Sequence, residues 1–138
     1  MGRIVAIDYG KKRVGIAATD ELQMIANGVT TVQADKVIDF LKDYCSREPV
    51  DLFVVGDPRQ MNNTGSDSVS FLRPFLKKLK QAFPDIPVEM EDERFTSQMA
   101  FQTMIDAGLG KKKRRDKALV DKISATIILQ SYMESKNI

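Results

Sequence analysis

The chain has 138 residues, of which 43% are hydrophobic and 29% are charged, and its net charge is only +2. This composition is typical of a soluble globular protein, and no stretch approaches the ~20 apolar residues of a membrane-spanning helix. The chain contains no histidine, which excludes Ser-His-Asp and Cys-His nucleophiles and most zinc sites. A metal site would therefore use mainly oxygen ligands, which favour Mg²⁺, Mn²⁺ or Ca²⁺.

The single cysteine, Cys45, excludes an internal disulfide and is typical of a reducing compartment. Asp8 interrupts the only early apolar run, so the amino terminus does not resemble a signal peptide. We expect a cytoplasmic protein whose residues 1–138 form a single domain.

The first predicted strand, residues 3–8, contains the run Ile4-Val5-Ala6-Ile7 and ends at Asp8. An aliphatic run of this kind is typical of a strand buried on both faces of a sheet. Open α/β sheets bind ligands at the carboxyl ends of their strands, where an unpaired buried charge would cost several kcal/mol. A cation, and a metal ion in particular, is the leading candidate for the partner of Asp8.

The other predicted elements follow from hydrophobic periodicity and from proline and glycine positions. A strand at 13–19 forms a hairpin with the first, and a third strand lies within 24–32. They are followed by a helix at 35–47, a strand at 51–56, a helix at 69–83 that Pro74 kinks or splits, and a strand at 88–91. The chain continues with a helix from Thr96 or Ser97 to Gly108, a mobile basic loop at 109–117 and a helix at 117–135. This order predicts an α/β fold with a mixed five-stranded sheet, strands 1–3 antiparallel and 4–5 parallel, and helices on both faces.

The last predicted helix carries a carboxylate on an apolar face. Asp121, Ala125, Ile128 and Tyr132 are spaced i, i+4, i+7 and i+11, which places them on one side of a helix. For an isolated aspartate, interaction with the helix dipole is the simpler explanation. That explanation accounts for the sign of the charge but not for its place on the apolar face.

A third acidic group, Glu91-Asp92-Glu93-Arg94, follows the fifth strand. Taken alone, it is most simply a solvated strand end in which Arg94 neutralises a neighbour. Strand alternation puts Asp92 on one face and Glu91 and Glu93 on the other, and does not decide which acid points inward. Three carboxylates on separate elements suit two-metal phosphoryl chemistry, in which two Mg²⁺ ions ~4 Å apart activate water and stabilise the departing oxygen.

Three ordered segments of the chain resemble the signature segments of the YqgF family, also called RuvX-like. They are Asp8-Tyr9-Gly10-Lys11-Lys12-Arg13-Val14-Gly15-Ile16-Ala17, Asp92-Glu93-Arg94-Phe95-Thr96-Ser97 and Asp121-Lys122-Ile123-Ser124-Ala125. The family comprises Holliday junction resolvases and pre-16S rRNA nucleases with a ribonuclease H-like fold, and the likeness covers nearly the whole chain.

The resemblance implies a metal-dependent endonuclease that hydrolyses phosphodiester bonds with Mg²⁺ (or Mn²⁺). It implies that Asp8, Glu93 and Asp121 are the catalytic and metal-binding residues. The implied cellular role is 5′-end maturation of the 16S rRNA precursor, with branched DNA as the rival substrate. One residue departs from the family pattern, since Asp57 stands where the family usually has an aliphatic residue. It is either a turn residue, as Asp-Pro pairs favour, or an added ligand.

Basic residues near these acids are candidates for binding nucleic-acid phosphate. They are Lys12, Arg13, Arg94, Lys112, Lys113 and Arg114. Each also has a simpler interpretation, namely a charged turn, a partner that orients Glu93, or a solvated linker. The expected partner is structured RNA or branched DNA, and phosphate contacts do not distinguish the two. Both a monomer and a homodimer remain open, although a four-way junction suits a two-fold dimer.

Two other classes of function fit parts of the sequence. An ATP-using phosphotransferase of the actin or sugar-kinase type also begins with Asp-x-Gly in a hairpin, but it requires two such domains around a cleft. In a non-catalytic nucleic-acid-binding module, the same carboxylates would be structural.

Overall fold

The computed structural model describes residues 2–57, 66–92, 102 and 116–136. Five strands form one sheet: β1 (Arg3–Tyr9), β2 (Arg13–Thr19), β3 (Ala26–Gln33), β4 (Val50–Asp57) and β5 (Val88–Asp92). The helices described are α1 (Val37–Arg47), preceded by a 3₁₀ turn at Ala34–Lys36, then α2 (Ser66–Ala82) and α3 (Lys117–Lys136). Of the helix predicted to end at Gly108, only Gln102 is described, and it is helical. The basic run 111–115 lies outside the described residues.

The strands lie in the order β3-β2-β1-β4-β5. β2 is antiparallel to both β1 and β3, whereas β4 is parallel to both β1 and β5. The predicted mixed sheet is therefore confirmed. Because β1, β4 and β5 run in the same direction, their carboxyl ends meet at one edge of the sheet, which is the usual place for a ligand site.

β1 is the central strand, and its apolar run is buried from both faces. Val5, Ala6 and Ile7 are all 0% exposed. Val5 and Ile7 pack in a core that includes buried side chains of α1 and α2, whereas Ile4 and Ala6 pack against α3. Helices therefore cover both faces, as predicted, and strand alternation puts Asp8 on the face that α3 covers.

Pro74 lies inside α2, which the structure shows as one helix from Ser66 to Ala82. The helix is therefore not split at this proline. An interior proline costs about 3 kcal/mol in a helix. Buried side chains on both sides of it, Leu72 before and Phe75 and Leu79 after, hold the two halves on the same core, and this packing offsets the cost.

Cys45 lies on the core side of α1, where it is half-buried against the cluster around Leu41. Burial raises the pKa of the Cys45 thiol, which lowers the fraction of reactive thiolate. Its role is packing, in agreement with the sequence interpretation. None of the helices in the described part of the chain is both long and apolar enough to cross a membrane.

Candidate active site

Asp8 lies at the carboxyl end of β1, half-buried on the α3 face. The next residue, Tyr9, holds the strand end from the opposite face, since its ring stacks on Phe75 with the ring centroids 4.2 Å apart. Burial raises the pKa of Tyr9. The turn that follows is closed by the Gly10 N–H, which donates to the Arg13 carbonyl at 3.0 Å. Two contacts thus fix the strand end that carries Asp8, namely the Tyr9–Phe75 stacking and the Gly10–Arg13 hydrogen bond.

Gly10 is required by the tightness of this turn. A Cβ on Gly10 would lie 2.7 Å from the Arg13 carbonyl oxygen, the same atom that accepts its hydrogen bond. Any larger residue would push the two strands of the hairpin apart close to Asp8.

Gly15 is the residue of β2 that pairs directly with Asp8. A Cβ on Gly15 would lie only 2.0 Å from the backbone oxygen of Asp121. The missing side chain therefore lets α3 rest directly on β2 at this point. As a result, the structure places Asp8 and Asp121, which are distant in sequence, on the same face of the sheet beside Gly15.

Asp121 does not cap α3, because that role belongs to Asp116. The Ala118 and Leu119 N–H groups donate to Asp116 Oδ1 at 3.1 and 3.3 Å, and the first turn of α3 contains no acidic residue. An acidic residue directly before a helical pattern is a known start signal, so the sequence could have indicated Asp116. The dipole explanation considered for Asp121 therefore applies to Asp116 instead.

The face of α3 that carries Asp121 packs on the sheet, as its periodicity predicts. Ala125, Ile128 and Tyr132 are all buried against β1, β2 and β4 residues. The Asp121 side chain lies at the edge of this contact and is 22% exposed.

The side chain of Asp121 has a cationic partner. Arg13 Nε donates to Asp121 Oδ2 at 2.7 Å, and the Arg13 side chain is 39% exposed. Arg13 begins β2 on the same face as Gly15, so it reaches Asp121 across the glycine. The sequence predicts phosphate binding for Arg13 and gives no sign of this ion pair, because no local pattern links residues so far apart in the chain.

β5 presents two further carboxylates to α3. Tyr132 donates a hydrogen bond from its hydroxyl to Glu89, and Ser131 donates to Glu91 at 3.4 Å. Burial, followed by the Glu89 interaction, raises the pKa of Tyr132 to about 12. Glu89 and Glu91 are therefore on the α3 side of the sheet, the side that also holds Asp8.

Asp57 is a buried residue at the end of β4, where it pairs in register with Asp92 of β5. Strand alternation groups it with Phe53 and Val55, which pack on the α1 and α2 side. Asp57 therefore lies on the face opposite Asp8, and this position favours the turn interpretation over an added ligand.

The remaining predicted site residues divide into two groups. Lys12 is exposed in the β1–β2 turn, and its carbonyl accepts the Ala34 N–H at 2.9 Å. The others lie outside the described residues: Glu93, Arg94, Lys112, Lys113 and Arg114.

The described donors fit a hard divalent cation. Asp8 and Asp121 supply only carboxylate oxygens, which suit Mg²⁺ or Mn²⁺ and not a thiophilic metal. Within residues 2–57, 66–92 and 116–136, no group of three or more acidic or cysteine side chains is placed to hold an ion. The third predicted ligand, Glu93, is not among those residues.

A polar cleft of about 270 Å³ opens between β3 and the start of α3. Its wall includes Thr30, Thr31 and Asp116, together with Lys122, the neighbour of Asp121. The aliphatic part of Lys122 crosses Gly28, where an added Cβ would lie 2.9 Å from Lys122 Cγ. The cleft is therefore a polar concavity at the start of α3, and its lining does not include Asp121.

Comparison with known proteins gives a consistent result. A family model described as RuvX, Holliday junction resolvase, matches residues 2–135. Proteins named "Putative pre-16S rRNA nuclease" from Parabacteroides distasonis and Porphyromonas gingivalis are 62% and 60% identical to this chain. The matches cover 99% and 98% of this chain, and 97% and 98% of the respective relatives.

Among solved structures, T. thermophilus RuvC in complex with a Holliday junction substrate superposes with a TM-score of 0.57. The superposition covers 98% of this chain and 96% of that one, at 14% sequence identity. At this level of identity the likeness concerns the fold, and it confirms the ribonuclease H-like architecture that the family resemblance implies.

Proposed function

Since the chain belongs to the RuvX family, we propose that it is an endonuclease that hydrolyses phosphodiester bonds with a divalent cation held by Asp8, Glu93 and Asp121. The single observation that carries the proposal is that Asp8 and Asp121 lie on the same face of the sheet, each next to Gly15, whose missing side chain allows α3 to approach β2.

The chemistry follows from the kinds of residue present. Bound Mg²⁺ or Mn²⁺ supplies Lewis-acid stabilisation of phosphate oxygens and lowers the pKa of a coordinated water. The chain itself supplies rigid carboxylates, since Asp8 is set by the β1–β2 hairpin and Asp121 by the contact of α3 with β2. Lys12, exposed in the turn that follows β1, contacts the phosphate of the substrate.

The proposed substrate is the 16S rRNA precursor, cleaved at its 5′ end in the cytoplasm. The names of the relatives from P. distasonis and P. gingivalis support this choice. Cleavage of branched DNA is the second candidate, and the description of the family model favours it. A junction resolvase would act best as a two-fold dimer, so a monomer in solution would count against the second candidate.

The experiment compares the wild-type protein with Asp8→Asn and with Asp43→Asn as a matched control. Asp43 is an exposed aspartate on α1, paired with Arg47 at 2.9 Å. We expect Mg²⁺-dependent cleavage to fall by at least about 100-fold in Asp8→Asn, in line with the loss of a transition-state electrostatic interaction, and to stay at the wild-type level in Asp43→Asn. Unchanged cleavage in Asp8→Asn contradicts the proposed site.

Each protein is assayed on a precursor 16S rRNA fragment and on a synthetic four-way DNA junction. Faster cleavage of the RNA supports rRNA maturation, and faster, symmetric cleavage of the junction supports the resolvase. Binding of either nucleic acid without cleavage by the wild-type protein, under any tested divalent cation, would identify a binding module instead.

A further inference from the structure

The Arg13–Asp121 contact differs from the other ion pairs in the described part of the chain. Its 2.7 Å separation is shorter than the 2.9 Å of Arg47–Asp43 and the 3.2 and 3.8 Å of the two contacts that Arg3 makes. The carboxylate is also less exposed, at 22% compared with 66% for Asp43. The Arg13 guanidinium is thus paired with a carboxylate, that of Asp121, which is only partly accessible to solvent.

Asp121 needs a positive partner for a physical reason. A partly buried carboxylate at the edge of an apolar contact loses hydration, and a nearby cation offsets that loss. In the structure this cation is the guanidinium of Arg13. In the proposed active state it is a divalent metal ion.

The two cations cannot both be bound equally well at Asp121. Arg13 donates to Oδ2 and so occupies one of the lone pairs that a metal ion could use. Two cations at the same carboxylate also repel one another, and the repulsion is greater where solvent screening is incomplete. Binding of one cation therefore weakens binding of the other.

We propose that Arg13 is a resident counter-ion of Asp121 that competes with the divalent cation, so that a substrate phosphate that draws Arg13 away strengthens cation binding. This inference rests on the proposed function, because it takes Asp121 to be a cation ligand. The Arg13 side chain is 39% exposed and can reach solvent. Its planar fork of donors matches phosphate as well as carboxylate.

The coupling is reciprocal by thermodynamic necessity. If phosphate binding frees Asp121 and raises its affinity for the cation, then cation binding must raise the affinity for phosphate by the same factor. The site would thus favour assembly of the complete enzyme–cation–substrate complex over either partial complex.

The first test measures Mn²⁺ dissociation constants by electron paramagnetic resonance for the wild type, Arg13→Gln, Arg13→Lys and Arg47→Gln. We expect Arg13→Gln to bind Mn²⁺ about two- to fivefold more tightly, the range that a half-exposed ion pair contributes to an equilibrium constant. Arg13→Lys keeps the charge and should stay near the wild-type value. Arg47→Gln removes a cation from the surface pair on α1 and should not change the constant.

Weaker binding in Arg13→Gln would show that Arg13 positions Asp121 for the metal, and equal binding would show that the two cations do not interact. Both results overturn the inference while leaving the proposed function intact. Absence of Mn²⁺ binding to the wild type would instead overturn the cation site itself. Thermal melts in EDTA and in Mn²⁺ provide a check on folding, and the rise in Tm on adding Mn²⁺ should be larger for Arg13→Gln.

The second test concerns the substrate and uses a synthetic four-way DNA junction as the phosphate probe, with Ca²⁺ as the cation. We expect Ca²⁺ to improve the junction Kd more in the wild type than in Arg13→Gln, by about two- to fivefold. General effects of Ca²⁺ on DNA are the same for both proteins and cancel in the comparison. Equal improvement in both proteins overturns the coupling.

Discussion

Substitution of Gly15 by alanine tests how closely the candidate site depends on the contact between α3 and β2. The added Cβ would lie 2.0 Å from the backbone oxygen of Asp121 and 2.6 Å from its backbone carbonyl carbon. Because such contacts are essentially never shorter than 3.0 Å, α3 must move by about 1 Å or more. The atom in the way is backbone, and α3 is anchored by the buried side chains of Ala125, Ile128 and Leu129, so it cannot yield locally.

The expected cost follows from these contacts. Overpacking of a well-packed interface costs about 1–3 kcal/mol, and replacing glycine recovers about 0.4–1 kcal/mol by restricting the unfolded chain. We expect Gly15→Ala to lower the free energy of unfolding by about 1–2 kcal/mol, and the Tm by several degrees. A displacement of about 1 Å at a catalytic group costs on the order of 100-fold in rate, so nuclease activity should fall by more than the loss of stability explains.

Gly28→Ala is the matched control. Its Cβ would meet Lys122 Cγ at 2.9 Å, but Lys122 is a flexible side chain that can rotate away. Its stability should therefore change by no more than about 0.5 kcal/mol, with activity within a few-fold of the wild type. Urea denaturation and initial cleavage rates under native conditions measure both effects. If Gly15→Ala matches Gly28→Ala in stability and in rate, the assumed close approach of α3 to β2 is wrong.

Two further predictions concern α3. The pKa of Tyr132 is raised to about 12, compared with an ordinary value of about 10, so folding favours the neutral hydroxyl. The contribution of this hydroxyl to the stability of the fold is complete below pH ~10 and is lost as the pH rises to ~12. The stability of the wild type relative to Tyr132→Phe should therefore decline by about 2–3 kcal/mol over this range in urea titrations, and a flat difference would show that burial and the Glu89 interaction do not hold the hydroxyl neutral. Asp116→Ala removes the acceptor of the Ala118 and Leu119 N–H groups and should cost about 1 kcal/mol. Asp43→Ala, which removes only an exposed i,i+4 pair, should cost about 0.5 kcal/mol or less, and equal losses would show that Asp116 is not the cap.

Much of the framework is predictable because it depends on local periodicity. The apolar run before Asp8 indicated a strand buried on both faces, and β1 is that strand. The bounds predicted for the second strand, 13–19, are those of β2. The spacing of Ala125, Ile128 and Tyr132 likewise identified the face of α3 that is buried. Each of these inferences uses only the periods of 2 and 3.6 residues that strands and helices impose.

Pro74 shows a limit of local rules. Its effect on a helix is large in isolation, and the sequence therefore predicted a kink or a break, of which the break is absent. The continuous α2 results from burial of Leu72, Phe75 and Leu79 in one core, which depends on the position of the sheet below. Tertiary packing outweighs the free-energy cost of the interior proline, and the sequence pattern of the helix alone does not reveal that packing.

Residue types alone narrowed the chemistry expected of this protein. Without histidine, and with carboxylates placed after a buried strand and on an apolar helix face, hard-cation chemistry was the favoured option. Which of these groups lie together depends on the packing of whole elements. Gly15 pairs with Asp8, α3 packs on Gly15, and Arg13 contacts Asp121. Each of these contacts joins residues that are distant along the chain or lie on different elements. A glycine within a strand signals that some backbone approaches closely, but the identity of that backbone depends on close packing of whole elements, which no periodicity encodes.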